Sequence, residues 1–172
     1  IFTPELLNDV LLWLSADKNT IINPSDSSIS EWKDRTNNQL DAVQPDISSQ
    51  PKLKLGPNTI GSKPVVRLDG INDFLLINSG GDVGSVYALF NYNSPGTFPD
   101  FNGLLTHQFG GENGIIFIGT GGSTGFYLNN STCFNRVFLN KNNTNNFSPL
   151  NNFKVVSSYK LTLPTTFSNF II

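Results

Sequence analysis

The chain has 172 residues, 38% of them hydrophobic, which suits one domain with a hydrophobic core rather than two domains. Only 14% of the residues are charged and the net charge is −2, so there is no basic field for phosphate groups and nucleic acid is not an expected partner. The sequence predicts a single domain over residues 1–172. Because the chain starts at Ile1 and contains no Met, we expect it to be a segment of a longer or processed protein.

Short strands are predicted along almost the whole chain, after a short N-terminal helical turn. Thr3 is a typical helix cap, Pro4 suits the first helical position, and Glu5 places an acid in the first turn. The later apolar runs are short and bounded by Gly, Pro, Asn or Ser, which is typical of strands. Strands are predicted at 10–14, 29–32, 64–68, 74–77, 86–92, 103–108, 114–119, 125–128, 136–139, 153–161 and 169–172. This pattern predicts an all-β fold, an antiparallel two-sheet β-sandwich or jelly roll.

Several classes of site are disfavoured by what the sequence lacks. Cys133 is the only cysteine, which excludes an internal disulfide. No apolar run reaches the 18 or more residues of a membrane span, so no membrane insertion is predicted. A glycosidase needs two facing carboxylates, and the few glutamates have no suitable spacing. His107 is the sole histidine and no serine has the context of a nucleophile elbow. We therefore predict that the chain is not an enzyme.

An acid- and amide-rich turn is predicted at residues 69–73, between two apolar strands. Asp69 and Asn72 are residue types that bond their own backbone in turns, and Gly70 supplies a positive φ. A structural turn is the favoured interpretation. The alternative is a Ca²⁺ site with Asp69, Asn72 and Asp73 as oxygen ligands; no other cofactor is predicted.

The best candidate for ligand binding is the loop at 91–102. Aromatic side chains stack on sugar rings while Asn and Asp bond the hydroxyl groups, and this loop carries both types. The predicted ligand-binding residues are Tyr92, Phe98, Asp100, Phe101 and Asn102. The alternative is that the two phenylalanines close one end of the core. Trp13 and Trp32 are predicted to be core residues.

Three segments of the first 80 residues resemble the laminin-G-like, or concanavalin A-like, jelly-roll family. They are Leu-Trp-Leu-Ser-Ala-Asp at 12–17, Glu-Trp-Lys-Asp at 31–34, and the run from Pro64 to Leu75 that passes through an Asp-Gly turn. The resemblance implies a β-sandwich. It does not imply one activity, because the family includes lectins, adhesion modules, hydrolases and structural domains.

One departure from this family leads to a further expectation. The family's closing strand, which lies beside the first strand, has no match in this sequence. The predicted strand at 10–14 would then have an open edge, to be covered by the missing strand of the same gene product or by a strand from another chain.

Together these observations predict a non-catalytic adhesion or recognition module of a secreted, cell-surface or virion protein, hence an extracellular location, with a glycan or a protein as its ligand. The alternative is a structural module that docks in a larger complex through its incomplete sheet edge.

Overall fold

The computed structural model describes residues 4, 7–56, 59–78, 80–92, 103–106, 115–119, 126–127, 136–139, 154–159, 165–166 and 170–172. Strands make up nearly all the regular structure of these residues, with short 3-10 turns at Ile47–Ser49 and Ile60–Ser62. The strands are β1 (Thr20–Ile22), β2 (Ile29–Trp32), β3 (Ala42–Val43), β4 (Lys52–Lys54), β5 (Val65–Arg67), β6 (Leu76–Ile77), β7 (Asp82–Val83), β8 (Ser85–Phe90), β9 (Gly103–Thr106), β10 (Ile115–Gly119), β11 (Phe126–Tyr127), β12 (Arg136–Leu139), β13 (Lys154–Tyr159), β14 (Thr165–Thr166) and β15 (Phe170–Ile171). The prediction of an all-β fold is confirmed for the described residues.

The chain forms two compact units, which we call the N-terminal unit (Ile1–Gly80 with Ile171–Ile172) and the C-terminal unit (Gly81–Phe170). At the start of the first, the carbonyl of Pro4 accepts a hydrogen bond of 3.0 Å from the N–H of Leu7. This one-turn bond agrees with the predicted N-terminal helical turn, of which Thr3 and Glu5 lie outside the described residues. No helix in the described part of the chain has the length and apolar character needed to cross a membrane.

The main sheet of the N-terminal unit has the strand order β1-β2-β3-β6, and each of these neighbours is antiparallel. Next to β6 lies β15, and beside it Leu75 and Ile172 exchange two backbone hydrogen bonds of 2.7 and 2.8 Å. A separate ribbon is formed by β4 and β5, with Lys52 opposite Arg67. Among the described strands, this sheet ends at β1, whose one neighbour there is β2.

The core of this unit includes apolar side chains from β2, β3 and β6 and from the residue directly before β6. Ile29, Ala42, Leu75 and Ile77 are fully buried. Ile29 also fixes the neighbouring chain, because its N–H donates to the carbonyl of Pro51 at 2.7 Å. Burial of these side chains stabilises the unit through the hydrophobic effect.

The prediction of a strand at 10–14 is wrong. Its backbone groups bond to the loop after β2 instead of to a neighbouring strand. The N–H of Trp13 donates to Oδ1 of Asp34 at 3.0 Å, its carbonyl accepts from the N–H of Arg35 at 2.9 Å, and the amide of Asn38 donates to two carbonyls of the segment. Because no strand forms here, the expected open edge does not exist at this segment.

Both tryptophans are half-buried rather than fully buried. Trp32 lies in β2 as predicted, and its indole nitrogen is shielded from solvent. Trp13 lies outside any strand, and one face of its ring is covered by Arg35. The core prediction for the tryptophans is therefore only partly met.

The described strands of the C-terminal unit fall into three groups, all with antiparallel pairing. The first has the order β12-β13-β8, and the second pairs β9 with β10 and β10 with β11. The third pairs β7 with β14. In the first group β13 is central, so β8 and β12 are its terminal strands.

Candidate recognition surface

Two exposed isoleucines in the N-terminal unit lie on neighbouring turns whose backbones are held by side chains. Ile47 belongs to the turn at 46–49 and Ile71 to the turn at 69–73; their side chains are 69% and 88% exposed. Single exposed apolar residues are ordinary, but the turns that carry these two are joined by hydrogen bonds. We call these two side chains, with the turns that present them, the isoleucine surface.

The turn at 46–49 follows β3 and is capped by Asp46. Its Oδ1 accepts hydrogen bonds from the backbone N–H of Ser48 at 2.9 Å and from the Ser48 hydroxyl at 2.8 Å. The N–H of Ser49 donates to the Asp46 carbonyl at 3.0 Å and closes a 3-10 turn. The side chain of Ile47 therefore projects from a turn whose shape is fixed by its cap.

The turn at 69–73 follows β5 and is built around Asp69. Its Oδ1 accepts from the N–H groups of Ile71, Asn72 and Asp73 at 2.8, 3.2 and 3.3 Å. The Asp69 N–H in turn donates to Oδ2 of Asp73 at 2.8 Å. Gly70 has φ +77°, a conformation that costs little only for glycine. The predicted structural turn is present at this position.

Asn72 links the two turns. Its side-chain amide donates to the carbonyl of Ser48 at 2.9 Å and lies 3.5 Å from the Ser49 hydroxyl. The N–H of Phe74 donates to the Ser49 carbonyl at 3.2 Å. These contacts fix the relative position of the turns and hence of the two isoleucines.

Two buried glutamines form hydrogen bonds with the backbone next to the two turns. The amide of Gln44 donates to the Phe74 carbonyl at 3.2 Å, and its oxygen accepts from the N–H of Asp46 at 3.1 Å. The amide of Gln50 donates to the Gln44 carbonyl at 2.7 Å. Both glutamines are buried, so the loss of either would leave buried polar groups without partners.

Three aspartates belong to the same two turns as the isoleucines, and the turns affect their pKa values differently. Hydrogen bonds from Ser48 lower the pKa of Asp46, and hydrogen bonds from backbone N–H groups, that of Ile71 first, lower the pKa of Asp69. Burial raises the pKa of Asp73. At neutral pH the surface therefore combines aliphatic contact area with a negative border.

The three residues assigned to Ca²⁺ in the alternative interpretation form hydrogen bonds within the chain, and one carboxylate oxygen of each aspartate accepts from the backbone. Asp69 Oδ1 accepts from three backbone N–H groups and Asp73 Oδ2 from one, while the Asn72 amide is directed at Ser48. Within the described residues, no group of three or more His, Cys, Asp or Glu side chains could hold a metal ion. The three predicted ligands thus act as turn-forming groups.

Most of the predicted ligand-binding loop lies outside the described residues. This applies to Phe98, Asp100, Phe101 and Asn102, whereas Tyr92 is described and half-buried. The isoleucine surface was not predicted from the sequence. The available signal was the Asp-X-Ser pattern at 46–48, which is typical of a capped turn, together with the Asp-Gly pair at 69–70.

Comparisons with protein-family models, with curated proteins and with solved structures found no match. The resemblance to laminin-G-like domains therefore stays a prediction.

Proposed function

We propose that this chain is a non-catalytic recognition module of a secreted, cell-surface or virion protein, with a laminin-G-like two-sheet sandwich as its fold. The observation that carries the proposal is the isoleucine surface, in which capped turns hold Ile47 and Ile71 in an exposed position. Pre-organised contact residues lose little conformational entropy on binding, which favours affinity.

The chemistry of this surface supports a protein ligand more than a glycan. Sugar rings are bound by aromatic faces, whereas aliphatic side chains gain affinity by burial against other apolar groups. Complete burial of one isoleucine contributes about 1.5–3 kcal/mol. The aspartates at the border favour a partner whose contact area carries Lys or Arg around an apolar centre.

A non-catalytic role is consistent with how the carboxylates are used. Hydrogen bonds from the hydroxyl and the N–H of Ser48 lower the pKa of Asp46, and backbone N–H groups, that of Ile71 first, lower the pKa of Asp69, so the charged form of both is favoured. A general acid needs the opposite shift, and Asp73, whose pKa is raised, accepts a bond from the Asp69 N–H within the same turn. These acids stabilise turns and define the charge of the surface.

The proposal is tested by exposing the labelled chain to two arrays, one of glycans and one of extracellular protein domains. We expect binding to protein domains, weakened at least about 10-fold when Ile47→Ser and Ile71→Ser are combined, because each tenfold corresponds to about 1.4 kcal/mol. Leu55→Ser is the matched control, since Leu55 is 74% exposed in the same unit but lies outside both turns.

Each other outcome has a defined meaning. Protein binding that survives the double substitution would assign recognition to another surface. Binding to glycans alone would favour the aromatic loop at 91–102 as the site. Absence of binding on both arrays would contradict the recognition function.

A further inference from the structure

The ribbon of β4 and β5 in the N-terminal unit carries three cations on one face. Lys52 lies opposite Arg67, and Lys54 lies opposite Val65. Alternate residues of a strand share a face, and so do directly opposed residues of an antiparallel pair. Lys54 and Arg67 are exposed, and Val65 is half-buried. We call these four side chains the basic face, in which lysine and arginine flank an aliphatic side chain.

The cations of the basic face are only partly neutralised within the described part of the chain. Nζ of Lys52 lies 3.2 Å from Oδ2 of Asp26. Lys54 and Arg67 form no ion pair with any described residue. Because like charges directly opposite in a ribbon repel each other, as Lys52 and Arg67 do, an anionic partner would stabilise this face.

The basic face lies next to the isoleucine surface. Only Leu68 separates β5 from the turn at 69–73, and only two residues separate the turn at 46–49 from β4. Burial raises the pKa of Asp73, and the positive charge of Lys52 partly offsets this rise, so the two charges are close in space. The unit therefore has acidic turns and a basic face side by side.

The aspartates of the two turns keep oxygens for a partner's cations. Oδ1 of Asp46 and Oδ1 of Asp69 form the hydrogen bonds within the turns. No described group donates to Oδ2 of Asp46 or of Asp69, and both residues are exposed. A lysine or arginine of a partner can therefore form a charge-assisted hydrogen bond there without disrupting the turn.

The order of charges along this unit selects the partner. A partner with basic residues alone would be attracted by the aspartates but repelled by the neighbouring Lys54 and Arg67, which would lower its affinity. The partner that fits carries an acidic and a basic area in the reverse order. A second copy of the chain, rotated about a twofold axis, presents that order, because each contact is then made twice with the roles of the two copies exchanged.

We propose that two copies of this chain form a twofold dimer in which the isoleucine surface of each copy binds the basic face of the other. Ile47 and Ile71 of one copy lie against Val65 of the second copy, and the aspartates of the two turns face Lys54 and Arg67. This proposal rests on the proposed function, since it names the partner of the isoleucine surface. Both surfaces of each copy are occupied, so a dimer is expected rather than an open polymer.

The experiment measures the molar mass of the full chain by light scattering during size-exclusion chromatography, over a series of protein concentrations. The wild type is expected at twice its 18.9 kDa chain mass. Lys54→Glu combined with Arg67→Glu should raise the dissociation constant at least about 100-fold, because each of the two contacts then places glutamates against aspartates and loses about tenfold. Ile47→Lys combined with Ile71→Lys should have a similar effect, because lysines then face the basic face.

An equal mixture of these two variants tests whether the two surfaces meet each other. In one contact the new lysines face the new glutamates, and in the other contact both surfaces are native. The mixture should therefore dimerise at concentrations at which each variant alone is a monomer. A mixture that stays monomeric would contradict the pairing of these two surfaces.

Lys18→Glu combined with Lys63→Glu is the matched control for charge. It makes the same change of charge as the glutamate pair in the ribbon, at exposed positions of the same unit outside both surfaces, and should leave the dimer intact. A dimer that survives the glutamate pair at 54 and 67 would overturn the proposal. So would a control that dissociates as fully as that variant.

The outcomes separate this inference from the proposed function. A wild type that stays monomeric up to about 1 mM overturns the inference alone if protein domains still bind through the isoleucine surface. A monomer that also binds nothing on either array contradicts both.

A measurement on the wild type covers the case in which the charged variants do not fold. Raising the ionic strength from about 0.05 M to about 0.5 M should weaken the dimer by about 10-fold or more, because salt screens exposed charge pairs. A dissociation constant that does not change with salt would contradict the pairing of acidic turns with the basic face.

Discussion

The guanidinium carbon of Arg35 lies 3.9 Å from the centre of the Trp13 ring. A cation over an aromatic face is attracted by the negative potential of the ring. The backbone of the same pair is joined as well, since the Arg35 N–H donates to the Trp13 carbonyl at 2.9 Å. The segment before β1 is thus attached to the loop after β2 by individual side chains, and single substitutions in that loop should have large effects.

Asp34→Ala is expected to destabilise the chain by about 3 kcal/mol. The buried carboxylate accepts from the N–H groups of Trp13, Thr36 and Leu40 and from the Thr36 hydroxyl, and loss of the acceptor leaves a buried donor without a partner. Urea unfolding followed by tryptophan fluorescence measures the change. Asp34→Asn retains an acceptor oxygen and should cost less, and Asp9→Ala, at an exposed position, serves as the control. Equal unfolding midpoints for Asp34→Ala and Asp9→Ala would contradict this role.

Asn72→Ala is expected to separate the two turns of the isoleucine surface while leaving the sheet intact. Loss of the bond to the Ser48 carbonyl should cost about 1 kcal/mol and should accelerate amide exchange at 46–49 and 69–73 only. NMR-detected hydrogen exchange measures this effect. Asn37→Ala, at an exposed position of another loop, is the control. The linking role would be wrong if exchange in the two turns did not change.

Gly70→Ala should destabilise the protein by about 1 kcal/mol, because alanine is strained in the left-handed backbone conformation of this position. A clash of the new side chain is not expected to contribute. An added Cβ at this position meets nothing within 4 Å, but φ is +77°. Gly84 is the matched control, because its Cβ would also meet nothing within 4 Å and its φ is not in the left-handed region. Gly84→Ala should be neutral or slightly stabilising. Thermal unfolding of both variants measures the difference. Similar losses in Tm for Gly70→Ala and Gly84→Ala would contradict backbone strain as the cause.

The two acids of the turn at 69–73 should affect the pH dependence of stability with opposite signs. The pKa of Asp69 is lower in the folded state, because backbone N–H groups, that of Ile71 first, bond the charged carboxylate. Its stabilising contribution is therefore present above the unfolded pKa of about 3.9 and is lost as the pH falls through the folded value. Asp69→Asn should lower the urea midpoint at pH 7 and have a smaller effect at pH 3.

Asp73 provides the comparison for that experiment. Burial raises its pKa in the folded state, so the wild type loses stability as the pH rises through the unfolded and then the folded pKa. Asp73→Asn should therefore gain in relative stability between pH 3 and pH 7. Two variants with the same pH trend would contradict the assigned pKa directions.

Apolar patterning predicted most of the strands. The strands at 29–32 and 136–139 have the predicted bounds, since both are short runs of β-forming residues. Five strands were not predicted, and all are short: Asp82–Val83, Thr165–Thr166, Thr20–Ile22, Ala42–Val43 and Lys52–Lys54. The last consists of one leucine between two lysines, and its pairing with β5 depends on long-range contacts that propensity does not express.

The wrong strand at 10–14 has a different cause. Its apolar residues fit a strand, but its backbone partners are the side chains of Asp34 and Asn38, which lie far along the chain.

The turn at Asp69, in contrast, was predicted from local chemistry, because an aspartate before glycine favours a turn. Local chemistry did not predict that Asn72 would reach Ser48, since that contact requires the folded sheet.

The same local device recurs through the N-terminal unit: an Asn or Asp side chain accepts from the backbone N–H two residues later. It occurs at Asn23, Asp26, Asp34, Asp46 and Asp69. Bonds over so short a distance need no distant residue, so these turns can be sampled before the sheet assembles. Peptides spanning 44–50 and 67–75 should therefore retain part of their turn structure in isolation. The isoleucine surface could then be transplanted to another scaffold as two short segments, provided that the new host keeps Asn72 within reach of Ser48.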